Sequence, residues 1–522
     1  MIRGDGSSIC DRCHRLGKEC KSTSPARRKA SKPTPVPKRS KLEDKLDEVV
    51  SLLRTQHAAP VSMSPDDQLV LTPESSVFTQ RLSYNPENHD RLTPEQLVDF
   101  RTTYLHLFPF VYLSENLTTD DLHVRYPLLC HAIRTVLTKA VTQQSRLSKQ
   151  LREQLASRII VQGERSIDVL LSLIMCIAWS PYFTHGKQFL GSMCNLAKTV
   201  VSDLRLDKPA QPTGCPSLGP HVDNKEVRTN EGSRALLAVF ILCANVSIIF
   251  EYDLMLWSSQ MEDASDCLSK GRESQEDGIL AASARLAKIA ISAAEVSRRA
   301  SGDPSTARYA MIAIDPLTLA LSNFQRSLAP ECLQHWLIIG LTQTAQVAIY
   351  ELALLRSSTT EMAASQLAFD SKRIGYLMEL LQTCKACRDH ALAGDTMSLT
   401  APSMLIWSYC CKILFRLSSI KGVPGWDPTI VQSTVDIVQC LEQLAEIAER
   451  ANSEYKAQTG EESLFAAAAE TLRAKAPNWK LPTREHDDIM DSAADGWNSG
   501  LIGDIGMMDF SSDFWMPSAF NL

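Results

Sequence analysis

The stretch that decides the fold reads Ala235-Leu-Leu-Ala-Val-Phe-Ile-Leu-Cys-Ala-Asn245-Val-Ser247-Ile-Ile-Phe250. Its apolar run from Leu236 to Phe250 has 15 residues and is interrupted by Asn245 and Ser247, so it is shorter than the ~20 residues that a membrane-spanning helix needs. Ala235 to Trp257 is apolar nearly all round, and a helix of ~20 residues with this pattern is buried at the centre of a large protein. The stretch predicts a central helix in a domain built of helices.

The same helical signature extends from residue 93 to about residue 482. Gln334 to Arg356 is also apolar nearly all round, and stripes at spacings of three and four recur elsewhere in the chain. Thr93-Pro94-Glu95-Gln96 predicts a helix start, because Thr caps, Pro suits the first helical position and Gln completes a capping box. Residues 207–232 and 262–278, rich in Pro, Gly, Asp and Glu, are predicted to be poorly structured insertions. The fold class is predicted to be all-α, with one large helical domain over 93–482.

The charge of the chain is divided between its two ends. The 522 residues carry a net charge of −6, yet residues 1–41 hold twelve Lys/Arg against three Asp/Glu, which gives +9. Residues 483–522 hold eight Asp/Glu against one Arg, which gives −7. The overall composition, 44% apolar and 22% charged, excludes a collagen-like chain, a wholly disordered chain and a multi-span membrane protein. We expect a basic head, a neutral body and an acidic tail with separate tasks.

The fifteen cysteines favour a reducing compartment. The N-terminus has no apolar segment of the kind found in signal peptides, and most later cysteines lie in apolar helical stretches where a thiol acts as a small core residue. Cys384 and Cys387 form a C-x2-C pair, which we interpret as a helical core pair rather than a redox site. The sequence contains no phosphate-loop, dinucleotide-binding, H-E-x-x-H or hydrolase-elbow motif, and it is not predicted to be an enzyme.

The cysteine motif at residues 10–20 carries the metal chemistry. Cys10, Cys13 and Cys20 follow the pattern C-x2-C-x6-C, whose short loops let thiolates converge on zinc at ~2.3 Å. Arg12, Arg15 and Lys18 favour the deprotonated thiols that bind the metal. Arg15 and Lys18 are also predicted to contact the DNA backbone or to serve nuclear import, together with the basic arm that follows. The alternative is three free thiols in a disordered N-terminus.

Three further segments have their own predicted tasks. A basic arm follows the cysteines and has the form of a bipartite nuclear localisation signal that can also contact phosphates: Arg27, Arg28, Lys29, Lys38, Arg39 and Lys41. A coiled-coil seam with a 4, 3, 4 spacing comes next: Leu42, Leu46, Val49 and Leu53. The tail combines acidic residues with Trp497, Phe510, Phe514, Trp515 and Phe520. This composition is typical of disordered activation segments. Alternatively, the arm is only a solvated linker, and the tail has no partner or docks on its own helical domain.

In this order of segments the chain resembles the fungal zinc binuclear cluster transcription factors. Cys13-His14-Arg15-Leu16-Gly17-Lys18-Glu19-Cys20 resembles the second half of the family's six-cysteine motif. Five stretches of the body resemble the middle regulatory region of one branch of the family: Phe108 to Tyr112, Arg125 to Leu129, Gly163 to Leu171, Ala178-Trp179 and Val200 to Leu206. The resemblance covers about 10–55 and 95–420.

The resemblance implies a domain plan. We expect a partial zinc-cluster DNA-binding module at 1–24, a basic linker with the import signal at 25–41, a coiled-coil dimerisation segment at 42–55, a disordered linker at 56–92, the helical regulatory domain at 93–482 and a disordered acidic-aromatic tail at 483–522. The family's first half, with three more cysteines and the basic helix that reads CGG triplets, has no counterpart before Cys10. We expect a coding start upstream of Met1, with a natural short form as the alternative.

The predicted function is a nuclear fungal transcription factor that binds zinc, reads CGG-type DNA as a homodimer and recruits the transcription machinery through its tail. By resemblance it controls a gene set such as a secondary-metabolite cluster. Two alternatives stay open. One is a truncated partner that pairs with full-length factors without reading DNA, and the other is a helical enzyme or small-molecule receptor. No association with a membrane is predicted.

Overall fold

The computed structural model describes residues 91–476, except 184–185, 210–228, 272, 302–306, 356–362, 395–399 and 421–422. In this part of the chain every regular element is helical and no strand occurs, which confirms the predicted all-α class. The described residues all belong to one compact unit.

The first helices run through Phe183. They are α1 (Pro94–Asp99), a π-helical turn (Phe100–Tyr104), α2 (Thr119–Arg125), α3 (Pro127–Leu137), α4 (Val141–Ala156), a second π-helical turn (Ser157–Val161), α5 (Ile167–Ala178) and α6 (Ser180–Phe183). The middle helices are α7 (Gly186–Asp203), α8 (Asn230–Phe250), α9 (Ser259–Lys270), α10 (Glu276–Ser301), α11 (Ala307–Ile312), α12 (Ile314–Ser327) and α13 (Pro330–Leu333). The last are α14 (Trp336–Tyr350) with a 3-10 turn (Glu351–Leu354), α15 (Ala363–Ala393), α16 (Ala401–Ser418), α17 (Thr429–Thr434), α18 (Ile437–Thr459) and α19 (Leu464–Lys475).

Helix α8 is the centre of the bundle, as its sequence predicts. Every residue from Gly232 to Phe250 is buried, and α8 packs against α9, α10, α5, α7 and α16. Helix α14, from the second apolar stretch, packs against α10, α15 and α16. Both helices are long and apolar enough to cross a membrane by length and composition alone, but the apolar window is 100% buried in the first and 72% buried in the second. Burial of this kind is what a core helix requires.

Helix ends follow the local rules that the sequence displays. The Thr93 hydroxyl accepts a hydrogen bond from the Gln96 amide, and the Gln96 side chain accepts one from the Thr93 amide at 3.0 Å, which confirms the predicted capping box. Gly460 follows the last residue of α18 and caps the helix. Its φ of 76° is a left-handed conformation that glycine adopts without a steric penalty.

The prediction of a poorly structured insertion at 262–278 is wrong. Helix α9 covers Ser259–Lys270, and α10 begins at Glu276. Ser258 caps α9, and Met261, Ala264 and Leu268 form a buried stripe against α8 and α10. The acidic residues that suggested a loop lie on the outer face of α9 and pair with basic residues of α10. Most of the other predicted insertion, 207–232, lies outside the described residues, and α8 begins within it at Asn230.

Candidate functional site

The residues predicted for zinc, DNA, import and dimerisation lie outside the described residues. These are Cys10, Cys13, Cys20, Arg15, Lys18, Arg27, Arg28, Lys29, Lys38, Arg39, Lys41, Leu42, Leu46, Val49 and Leu53. The acidic-aromatic tail, 483–522, lies outside them as well. Their roles remain predictions.

Two of the body stretches that carry the family resemblance, Phe108 to Tyr112 and Ala178-Trp179, meet in the structure. The Trp179 side chain is fully buried, and the rings of Phe100, Tyr104, Phe108 and Phe110 have centroids 6.1–6.5 Å from its own. Tilted and edge-to-face arrangements at this range are the favourable ones for aromatic pairs. We call these five residues the aromatic cluster. It joins the π-helical turn and the loop after it to the end of α5.

Asp168 joins two more of these stretches. One oxygen of its carboxylate accepts a hydrogen bond from the Leu128 amide at 3.1 Å, and the other accepts one from the Leu129 amide at 2.9 Å. These amides belong to the first turn of α3, where backbone donors lack helical partners. Burial raises the pKa of Asp168 to about 6, against the lowering effect of the two amide bonds. Asp168 therefore serves as a side-chain cap that attaches α3 to α5.

A buried ion pair joins α8 to α10. Arg234 donates from Nε to Asp277 Oδ1 at 2.6 Å and from Nη2 to Asp277 Oδ2 at 2.8 Å. The two side chains are 4% and 3% exposed. Glu273 accepts a further bond from Arg234 Nη2 at 2.8 Å, and the Tyr112 ring lies 5.4 Å from the guanidinium carbon. Burial lowers the pKa of Arg234, but the hydrogen bonds to Asp277 and Glu273 outweigh it and raise the pKa, so the guanidinium is charged.

The described residues also form an open cleft of about 630 Å³. It lies where the segment after the π-helical turn approaches the start of α10, the end of α12 and the start of α14. Its lining includes polar groups, His106, Glu276 and His335, and apolar groups from α10 and α12. The volume is in the range of small-molecule sites, about 300–1,000 Å³.

Three side chains at this cleft bring metal-ligand types together within the described part of the chain. Ligand atoms of His106, Glu276 and His335 all lie within 4.8 Å of one another. His106 Nδ1 donates to Glu276 Oε1 at 3.2 Å. His335 Nε2 donates to the His106 carbonyl at 3.1 Å, and its Nδ1 accepts from the Leu337 amide at 3.2 Å as the cap of α14. Burial lowers the pKa of His335 to about 4, which keeps it neutral at pH 7.

These hydrogen bonds decide what the cluster can bind. Both nitrogens of His335 are occupied, one as a donor and one as an acceptor, so it offers no lone pair to a metal ion. His106 and Glu276 remain, and two ligands are fewer than the three or four protein ligands of zinc sites. The cleft is therefore better suited to an organic molecule than to a metal ion.

This cleft has no local sequence signal, because His106 and His335 are 229 positions apart. The cysteines agree better with prediction. Cys130, Cys176, Cys243 and Cys410 are buried, and Cys384 and Cys387 are at most 1% exposed on α15. Burial raises the pKa of the Cys384 and Cys410 thiols, which keeps them protonated and unreactive. The prediction of a core pair is confirmed.

Comparison with known proteins bears on the function. Transcription factor opdL of Penicillium oxalicum is 28% identical over 470 residues, which cover 85% of this chain and 80% of the relative. A protein named transcription factor from Aspergillus terreus is 22% identical over 402 residues, 73% of this chain and 60% of the relative. The names of these relatives support the interpretation that the chain is a fungal transcription factor.

A third relative and a family model match shorter parts of the chain. Transcription factor himD of Aspergillus japonicus is 29% identical over 216 residues, 40% of this chain and 35% of the relative. The family model ATEG07667_C, described as a C-terminal domain, matches residues 396–522. No solved structure matches the chain. None of the three relatives is named as an enzyme, in agreement with the prediction from the missing motifs.

Proposed function

We propose that the chain is a nuclear fungal transcription factor that binds DNA as a zinc-dependent dimer. The observation that carries the proposal is the similarity to transcription factor opdL over 85% of the chain. That alignment spans 470 residues, and the cysteine motif, basic arm and coiled-coil seam of this chain supply the parts that contact with DNA needs.

Each segment has a defined task in this proposal. Cys10, Cys13 and Cys20 hold zinc, and the basic residues from Arg27 to Lys41 contact phosphates and the import machinery. Leu42, Leu46, Val49 and Leu53 pair two chains and set the spacing of CGG-type half-sites. The acidic-aromatic tail recruits the transcription machinery. The helical domain regulates these activities, and the genes controlled form a set such as a secondary-metabolite cluster.

A gel-shift series with the full chain tests the DNA-binding part. The comparison uses Cys13→Ala, which removes a predicted zinc ligand, and Cys267→Ala, which removes an exposed thiol of α9 as the matched control. The proposal predicts stoichiometric zinc and preference for CGG-containing DNA in wild type and control, and loss of both in Cys13→Ala. Absence of zinc together with equal binding to all sequences would contradict it.

The salt dependence of DNA binding distinguishes the contribution of the basic arm from that of the cysteine motif. Each phosphate contact steepens the plot of log K against log salt by roughly 0.9. Changing Arg27, Arg28 and Lys29 to Ala should therefore reduce the slope by up to about 3 while the preference for CGG stays unchanged. The same variant should accumulate outside the nucleus.

A second candidate function rests on the number of cysteines in the motif. Cys10, Cys13 and Cys20 match one half of the six-cysteine pattern of the fungal zinc cluster factors that the chain resembles, and the alternative proposal is a partner that pairs with full-length factors without reading DNA itself. Co-purification of such a factor with the wild type, but not with a Leu46→Lys variant, together with sequence-blind DNA binding, would favour this alternative.

A further inference from the structure

His106 presents an unused hydrogen-bond acceptor at the cleft. Its Nδ1 lies 3.2 Å from Glu276 Oε1, and because a carboxylate has no proton to give, Nδ1 is the donor of this bond. The neutral imidazole then carries its lone pair on Nε2. Within the described part of the chain His106 Nε2 has no hydrogen-bond partner, and 57% of the side chain is exposed. A ligand in the cleft can therefore donate a hydrogen bond to His106 Nε2.

The neighbours of His106 hold this acceptor in place. Glu276 fixes the ring through Nδ1, and the His335 ring packs against it edge-on, with the two centroids 4.8 Å apart. His335 Nε2 also donates to the His106 carbonyl at 3.1 Å, which fixes the backbone. A carboxylate that accepts from one imidazole nitrogen makes the other nitrogen more basic. Nε2 therefore favours a strong donor, such as a weakly acidic hydroxyl group.

The charges at the cleft favour a neutral ligand. Its described lining holds two carboxylates, Glu276 and Glu331, and one guanidinium, Arg285, which already pairs with two carboxylates of α9. An anion is therefore repelled without a free cation to compensate. A cation gains little from Glu276, because Oε1 is paired with His106 and Oε2 is buried away from the cleft surface.

The lining also includes hydrocarbon surface on which an aromatic ring can pack. Ile279 of α10, Phe324 of α12 and Leu328 contribute to it. All three side chains are partly buried and pack against the core, so the helices themselves hold this surface in place. The Phe324 ring offers the stacked or edge-to-face contact that aromatic ligands prefer.

We propose that this cleft binds a neutral hydroxyaryl compound, a phenol or naphthol whose O–H donates to His106 Nε2 and whose ring packs on Ile279, Phe324 and Leu328. Glu276 is a positioning residue in this proposal, because it acts on the ligand only through His106. His335 caps α14 and holds the His106 backbone, so the occupied cleft connects the segment after the π-helical turn with α10 and α14. The site does not depend on the proposed DNA-binding function.

The test uses the full chain and matched compounds that differ only in the head group. Binding of 2-naphthol and 4-phenylphenol is compared with that of their methyl ethers by saturation-transfer NMR and calorimetric titration at pH 8, where the phenols are still protonated. At least one phenol is expected to bind roughly tenfold more tightly than its ether, since the ether has no proton to donate. The corresponding ammonium compound, 2-naphthylmethylamine, and 2-naphthoic acid are expected to bind more weakly than 2-naphthol.

Three variants locate the hydrogen bond and the cleft. His106→Leu removes the acceptor and keeps an apolar side chain, so the phenol and its ether should then bind equally. Thr103→Val, a change at an exposed residue of the π-helical turn outside the cleft lining, should leave the preference for the phenol intact. Gly278→Leu fills the cleft from its lining without a clash, because a Cβ there meets no atom within 4 Å, and it should weaken every aryl compound.

Several results would overturn the proposal. These are failure of both phenols to bind, equal binding of phenol and ether in the wild type, a preference that persists in His106→Leu, tighter binding of the ammonium compound or the acid, and unchanged binding in Gly278→Leu. Far-UV ellipticity equal to that of the wild type shows that each variant keeps its helices. Because DNA is absent from the assay, these results are independent of the gel-shift outcome.

Discussion

Removal of Asp277 should destabilise the helical domain strongly, because it leaves the Arg234 guanidinium buried without its main partner. Two short hydrogen bonds, 2.6 and 2.8 Å, join side chains that are 4% and 3% exposed. Breaking a buried pair by removing one partner costs about 3–5 kcal/mol. Glu273 still pairs with Arg234 after the change, so Asp277→Ala should fall near the lower end, about 3 kcal/mol.

The reverse variant should cost more. Arg234→Met leaves the Asp277 carboxylate buried with no described cation to replace the guanidinium, and it also removes the contact of Arg234 with Tyr112. We expect about 4–5 kcal/mol, a large part of the 5–15 kcal/mol that stabilises a typical domain. The double variant Arg234→Met/Asp277→Leu removes both charges and should be more stable than Arg234→Met alone.

Urea-induced unfolding, followed by far-UV ellipticity at pH 7, measures these free energies of unfolding when the m-values agree. Asp120→Ala provides the control, because Asp120 pairs with Arg91 at the surface with side chains 82% and 50% exposed. Its effect should stay within about 1 kcal/mol. If both single variants at the buried pair also stay within about 1 kcal/mol, the reasoning about its burial is refuted.

Two of the remaining predictions concern described residues, and the third concerns the coiled-coil seam predicted from the sequence. Trp179→Ala should lower the free energy of unfolding by about 3–5 kcal/mol and abolish the near-UV circular dichroism of the aromatic cluster; a change below about 1 kcal/mol would show that the cluster is not packed as described. His335 binds fewer protons when folded, with a pKa of about 4, than when unfolded, near 6.5, so stability should fall as the pH drops from about 6.5 to 4. His335→Asn, which keeps a capping acceptor, should remove up to roughly 3 kcal/mol of that fall, and an unchanged pH profile would speak against a buried neutral imidazole. Leu46→Lys should convert a dimer into a monomer in sedimentation velocity, with Glu43→Lys as the control on the outer face; identical sedimentation of all three proteins would exclude the seam.

Much of the fold is predictable from the sequence because its signals are local. The all-round apolarity of residues 235–250 predicts burial of α8, and four adjacent residues, Thr93 to Gln96, specify the start of α1. The register of Met261, Ala264 and Leu268 also predicts a helix, but the acidic residues of α9 suggest a loop. Their basic partners, Arg285 and Lys288, are about twenty positions further on, and only tertiary packing brings them together.

The cleft, by contrast, could not be predicted from the sequence. His106, Glu276 and His335 come from separate elements, and none belongs to a motif with a recognised spacing. The hydrogen bond from His335 to the His106 carbonyl exists only when the start of α14 has docked beside the π-helical turn. The cysteine motif is the opposite case, because its chemistry is local and can be read from eleven consecutive residues.

Occupancy of chromatin by the tagged full chain in fungal cells, measured by immunoprecipitation and sequencing, tests zinc-dependent DNA recognition directly. We expect discrete peaks at promoters, enriched in CGG-type elements, that disappear in Cys13→Ala and persist in Cys267→Ala. An even distribution over the genome, or peaks that are the same in both variants, would contradict zinc-dependent DNA recognition by this chain.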